Sequence, residues 1–387
     1  MESWLKSLNK AKGHAGDLEC RVNILIVKTS AIGDVLHTLP ALHTLRTHYP
    51  TARIAWLIEE EASGIVIGHP AVDEVIVSRR KQWLSRIKDG EWLATGEDIW
   101  RFIKALRARR YDLLIDFQGL LKSSVFIACC RADRKVGFGR GMAHAEGSYL
   151  FLSERVPPVS MDTHAVEREL LLLKAIGLHC ERVESTLPLS PADQKQAEQL
   201  LVARGLASGE PFVAINPMTT WPTKHWQESG FVDVATRLLE QGLKVVFTGG
   251  KGDVEAINTL CSRLTTPGVL NLAGSTNLKT LAALFTKARL LVTTDTGPMH
   301  LAAAVGTPVV ALFGPTAPWR TGPYGAGHQV IRAGLACSPC YKRECPLATT
   351  ACMHAITPQA VWDAVLTQLQ RPAASGSPLT AGAITTP

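Results

Sequence analysis

The sequence predicts an α/β protein built from two doubly wound, Rossmann-like domains. Three observations carry this. The chain has 387 residues, more than one ordinary domain of ~100 to 200 residues. Near-continuous Val, Ile and Leu runs alternate with amphipathic stretches, the pattern of parallel strands covered by helices on both faces. The pattern then starts afresh after Pro188, Ser190 and Pro191. This organisation predicts an N-terminal extension over 1–21, one domain over 22–190, a second over 191–370, and a tail over 371–387. The tail is rich in Ala, Ser, Gly, Thr and Pro, and is expected to be disordered.

In order, the apolar run 22–27 breaks at Lys28, and a small-residue loop over 29–34 leads into a helix whose Val35, Leu39, Leu42 and Leu45 recur at helical spacing. Further buried strands are read at 54–58, 75–77 and 113–117. A basic helix is read around 101–110 and another helix at 164–176. In the second half, helices are read at 192–203, 231–241, 253–264 and 278–288. Strands are read at 212–215, 244–248, 290–294 and 308–313. Two open sheets of this kind bind ligands beyond the carboxyl ends of their strands. The expected active site is a cleft in which the two domains face each other.

Composition narrows the class. Hydrophobic residues make up 46% and charged residues 19%, which excludes a disordered chain. The net charge of +7 suggests an anionic ligand or surface without demanding nucleic acid. Fifteen Lys and Arg lie between 79 and 140, so the excess is local. No stretch approaches the ~20 apolar residues of a spanning helix, and the first twenty residues lack the apolar core of a secretion signal. Nine cysteines, an odd and mostly scattered set, fit a reducing compartment. A cytoplasmic protein with at most a peripheral hold on a membrane is expected.

Three segments carry candidate chemistry. In 28–34, Gly33 permits a tight turn and Asp34 stands at the helix start, either as an ordinary cap or as a carboxylate aimed at a ligand. In 294–300, Pro298 suits a first helical turn, so the free N–H groups near Thr296 and Gly297 make an anion site. Asp295 precedes it, and His300 is equally readable as a buried helix residue or as a ligand contact. In 216–226, Thr219, Thr220 and Lys224 offer two hydroxyls and a cation, a pyrophosphate cradle that needs no metal. Trp226 reads as a packing anchor. The dinucleotide and P-loop glycine fingerprints are absent, which removes the main support for an oxidoreductase or a P-loop kinase.

These segments, together with 35–42, Asp116-Phe117-Gln118-Gly119-Leu120, Lys122-Ser123, His164-Ala165-Val166-Glu167-Arg168 and Lys224-His225-Trp226, resemble glycosyltransferase family 9, the lipopolysaccharide heptosyltransferases. The resemblance runs in order from about 22 to 366 and lies nearest the branch that adds the first heptose to Kdo-lipid A. It implies a GT-B fold and inverting transfer of L-glycero-D-manno-heptose from ADP-heptose to the Kdo region of Kdo2-lipid A at the inner-membrane surface. It implies Asp34 as general base and Thr219, Thr220, Lys224, Asp295, Thr296, Gly297 and His300 as donor-binding residues. Lys28, Ser30, Gln118, Lys122 and the Arg79-Arg80-Lys81 cluster fall on the acceptor side.

No cofactor is required for such a transfer. Another sugar transferase of the same family, such as one adding the second heptose, stays open, as does a non-catalytic nucleic-acid module. One pattern stands apart: Cys337, Cys340, Cys345 and Cys352 fall within sixteen residues. They are readable as a packed, reduced loop or as four ligands for zinc or an iron–sulfur cluster.

Overall fold

The computed structural model describes residues 21–142 and 146–371. The extension expected over 1–21 lies, but for Arg21, outside the described residues, and so does the tail beyond 371. The chain divides between Arg182 and Val183 into two compact units. No described helix is long and apolar enough to cross a membrane.

The first unit holds six strands: β1 (Asn23–Val27), β2 (Arg53–Glu59), β3 (Glu74–Ser78), β4 (Arg110–Asp116), β5 (Arg131–Phe138) and β6 (Glu154–Val156). Their order is β3-β2-β1-β4-β5-β6, all pairs parallel. The second unit holds β7 (Phe212–Asn216), β8 (Lys244–Phe247), β9 (Val269–Asn271), β10 (Leu290–Thr294), β11 (Val309–Leu312) and β12 (Gln329–Ile331). Its order, β12-β11-β10-β7-β8-β9, is again all parallel and repeats the same doubly wound sequence of strands. The central strands earn their place by burial on both faces: Ile24, Leu25, Ile26 and Val27 of β1 are fully buried, as are Val213, Ala214 and Ile215 of β7.

Each sheet reverses its direction of winding once, between β1 and β4 in the first unit and between β7 and β10 in the second. The loops that leave these strands diverge to opposite faces and open a crevice at the carboxyl edge. Residues 28–34 follow β1, Gln118 follows β4, Lys224 follows β7 and Asp295 follows β10. All the central candidate residues therefore stand at switch points.

Local departures have physical causes. The single helix expected from Val35 to Leu45 is two, Ile32–His37 and Leu39–His48, joined at Thr38. Pro40 lacks the N–H that would continue the ladder, so the chain starts a new helix around it. The basic helix expected around 101–110 runs instead over Trp92–Arg107. Arg110 already belongs to β4, where the sheet claims its backbone opposite Arg131.

Trp226 is the packing anchor its sequence context suggests. It is buried, donates its indole N–H to the Ile356 carbonyl at 2.9 Å, and meets Phe231 edge-on at 4.9 Å. Gly230 makes room for it: a Cβ there would lie 2.5 Å from the indole ring. Gly230→Ala is expected to destabilise the second unit by about 1 to 3 kcal/mol, because a fully buried ring cannot yield. The check is a chemical denaturation curve. An unchanged midpoint would contradict the packing argument.

Candidate functional site

In the first unit the site is built on a buried ion pair. The Lys28 ammonium donates to the Phe117 carbonyl at 2.9 Å and to Glu169 Oε1 at 2.7 Å, tying the end of β1 to the end of β4 and to the helix Ala165–Ala175. Burial alone would lower the Lys28 pKa, but Glu169, Asp34 and Asp116 together outweigh it, and the net direction is up. Lys28 is thus a charged strut beneath the loop that carries Asp34.

Asp34 is half-buried at the third position of the helix Ile32–His37, where its Oδ2 accepts the Ala31 N–H at 3.1 Å. Ala31 and not Asp34 is the N-cap, and the Asp34 carboxylate closes the turn from three residues further in. Gln118 fastens the same loop from β4: its carbonyl oxygen accepts the N–H groups of Thr29 (2.8 Å) and Ser30 (3.0 Å) and the Thr29 hydroxyl (3.0 Å). Below it, Asp116 is buried and accepts the N–H groups of Gln118 and Gly119. Burial pushes its carboxyl up against those donors.

Lys122 donates to the Ser30 hydroxyl and lies 3.8 Å from Glu59. Burial lowers its pKa, with Glu59 opposing. The Arg79-Arg80-Lys81 cluster has partners that composition hides. Arg80 pairs with the buried Glu59 at 2.8 Å, Arg79 with Glu60 at 3.5 Å, and Lys81 with Glu61. Three successive carboxylates at the end of β2 thus face three successive cations. The Arg79 and Lys81 side chains are 60% and 57% exposed, so their pairs are weak and an anionic ligand can compete for them.

In the second unit, Lys224 donates to Asp295 Oδ2 at 2.6 Å, and the Thr316 hydroxyl donates to the same oxygen at 2.6 Å. The Lys224 ammonium also stands 4.5 Å from the centre of the Trp221 ring. An ammonium has three N–H groups and Asp295 takes one. Asp295 therefore fixes the cation between β7 and β10 without exhausting it. Thr219 and Thr220 follow on a loop latched by Asn216, whose amide donates to the Met218 carbonyl at 3.1 Å and whose oxygen accepts the Thr248 hydroxyl at 3.2 Å. Thr296 precedes the helix Gly297–Ala304, with Pro298 in its first turn and no side-chain cap on its N-terminal N–H groups. Those amides carry the positive end of the helix dipole. His300 is buried inside this helix.

The four clustered cysteines are free thiols on the segment that follows β12. Cys345 accepts the backbone N–H groups of Thr350, Leu347 and Thr349, which hold its pKa below the usual thiol range. Burial raises Cys352, and the other three thiols add to that rise. Among the described residues, no group of three or more His, Cys, Asp or Glu is arranged to hold a metal ion.

Sequence reading missed Glu169, Thr316 and the triplet Glu59, Glu60 and Glu61. Glu169 had a signal: it is a carboxylate on the same buried face as Val166, Leu172 and Leu173, and such a position demands a cationic partner.

Comparison with known proteins follows the same lines. A family model described as glycosyltransferase family 9 (heptosyltransferase) matches residues 99–351. Lipopolysaccharide heptosyltransferase 1 of Pseudomonas aeruginosa is 35% identical over 338 residues, covering 85% of this chain and 89% of that protein. Among solved structures, E. coli heptosyltransferase WaaC with ADP superposes with a TM-score of 0.72 at 27% identity, covering 90% of this chain and all of that one. E. coli ADP-heptose lps heptosyltransferase II gives 0.69 at 25% identity, over 90% and 98%.

Proposed function

The chain belongs to glycosyltransferase family 9, the heptosyltransferases, and from that membership we propose that it moves L-glycero-D-manno-heptose from ADP-heptose to the Kdo region of Kdo2-lipid A, with inversion. It is a GT-B glycosyltransferase. The observation that carries the finer reading is the division of chemistry between two matched sheets. One switch point presents a carboxylate, Asp34. The other presents a cation and helix-terminal amides, Lys224 with Thr296 and Gly297.

Inversion in a single displacement asks for both. Asp34 takes the proton of the acceptor hydroxyl as its oxygen bonds to the anomeric carbon and the bond to the diphosphate breaks. Lys224, the Thr219 and Thr220 hydroxyls and the amides at Thr296 and Gly297 receive the charge that gathers on the departing ADP. No covalent intermediate forms. On the acceptor side, Lys28, Ser30, Gln118 and Lys122 shape the loop that offers Asp34, and Arg79, Arg80 and Lys81 meet Kdo carboxylates and lipid A phosphates. Because that acceptor is a lipid, the reaction belongs at the cytoplasmic face of the inner membrane.

The test offers the purified protein ADP-heptose with Kdo2-lipid A or with the singly heptosylated acceptor, and reads products by mass spectrometry. One added heptose on Kdo2-lipid A alone is expected. Product from the heptosylated acceptor alone would overturn the acceptor assignment and leave the transfer chemistry standing. For the donor, Lys224→Met is expected to raise the ADP-heptose Kd by about 10- to 100-fold, the worth of one charged hydrogen bond. Titration calorimetry checks this, and an unchanged Kd would remove Lys224 from the cradle.

A further inference from the structure

We propose that the exposed face of the helix Trp92–Arg107 is a docking surface for an anionic lipid bilayer. The helix is fastened on one side only. Thr95 and Leu106 are buried, and Phe102 meets Trp83 at 5.2 Å and Phe126 at 5.7 Å, both edge-on. At ~100° per residue, Trp92, Leu93, Gly96, Trp100, Lys104 and Arg107 fall together in an arc of about 120° that flanks the packed side, with half-buried Ile103 near its inner edge. A face turned to water is ordinarily polar. Here Trp92 is 69%, Leu93 89% and Trp100 61% exposed. Single exposed apolar residues need no explanation, but three large ones on one arc mark a surface that meets a partner.

The charges identify the partner. The neighbouring carboxylates are already taken: Glu97 by Arg101 at 2.9 Å, Asp98 by Arg86 at 2.7 Å, and Glu91 by Arg86 at 2.7 Å. The arc itself carries Lys104 and Arg107 and no acid. The Lys104 ammonium stands 4.8 Å from the centre of the Trp100 ring. Tryptophan and leucine bordered by lysine and arginine suit the boundary between acyl chains and anionic headgroups. A second copy of this chain fits worse, since a two-fold contact would bring two arcs of the same positive charge together. The neighbouring helix Leu121–Cys129 also exposes large apolar side chains, Leu121 at 59% and Val125 at 57%, one turn apart. The assignment deepens the reading of a lipid acceptor, yet its test uses no substrate.

The experiment is flotation of the full chain with vesicles of phosphatidylcholine alone and of phosphatidylcholine mixed with phosphatidylglycerol. Binding to the mixed vesicles and little to the neutral ones is expected. The triple variant Trp92→Ser, Leu93→Ser, Trp100→Ser should lower the partition by about tenfold or more with an unchanged circular-dichroism melt. Lys104→Glu with Arg107→Glu should abolish the preference for phosphatidylglycerol. Transfer to an acceptor dispersed in detergent should survive the triple substitution, so this proposal and the transfer reading fail separately. The proposal is overturned if wild-type protein stays unbound, or if the triple variant floats equally well. It is also overturned if the triple substitution instead dissolves a dimer or abolishes polynucleotide binding, which would give the face to another occupant.

Discussion

Asp34→Asn is expected to lower kcat for heptose transfer by about two to four orders of magnitude while ADP-heptose binding stays nearly unchanged. The substitution is chosen for what it preserves. Asp34 Oδ2 accepts the Ala31 N–H across the first turn of the helix Ile32–His37, and the asparagine oxygen can accept the same bond. The loop stays fastened through Gln118. What the amide cannot do is take a proton at neutral pH. The expected loss therefore belongs to the chemical step rather than to folding or donor affinity. Initial rates at saturating donor, set beside calorimetric titration with ADP-heptose, separate the two. A variant that turns over at close to the wild-type rate would remove Asp34 from the role of base. A variant that loses donor affinity and rate together would make the residue a binding group instead.

The legibility of this molecule in its sequence follows burial. Strands β1, β2, β4, β7, β8, β10 and β11 are readable because their central residues are apolar and buried, and β3 is readable from its Val75-Ile76-Val77 run. β5 is not, because Arg131, Asp133, Arg134 and Lys135 fill it with charge. Those side chains find partners across the sheet surface, Arg134 with Glu154 and Asp133 with Arg110, and backbone pairing with β4 overrides the pattern. β9 and β12 span only three residues each, too few for any period to register. The same logic governs the site. Asp34, Lys224 and Asp295 are readable because they follow strands that are themselves readable. Their partners are remote: Lys28 and Glu169 are 141 positions apart, and Lys224 and Asp295 are 71. The cluster at 79–81 looks like unmatched positive charge only until Glu59, Glu60 and Glu61 arrive beside it through the pairing of β2 with β3.

Lys28→Met is expected to destabilise the first unit by about 3 to 5 kcal/mol at neutral pH, because it strands a buried carboxylate. Glu169 illustrates the opposing forces: burial raises its pKa, and the Lys28 ammonium pulls it down. Removing the ammonium leaves only the Thr38 hydroxyl to oppose burial, so the folded-state pKa of Glu169 climbs further above its unfolded value. A carboxyl shifted in that sense disfavours folding wherever the unfolded chain would have it ionised. The penalty therefore shrinks as pH falls from the raised folded value and is gone below the ordinary glutamate range, near ~4.3. The single variant should regain stability relative to wild type on acidification. Lys28→Met combined with Glu169→Leu should be far more stable at neutral pH than either single change, since no buried charge is left alone. Denaturation curves for the four proteins, taken at neutral and mildly acidic pH, measure the coupling directly. A penalty for Lys28→Met that ignores pH would trace the cost to the missing hydrogen bond to the Phe117 carbonyl and to the packing around it, with Glu169 a bystander. A penalty that disappears in acid would identify the ion pair as the strut that holds the Asp34 loop against β4.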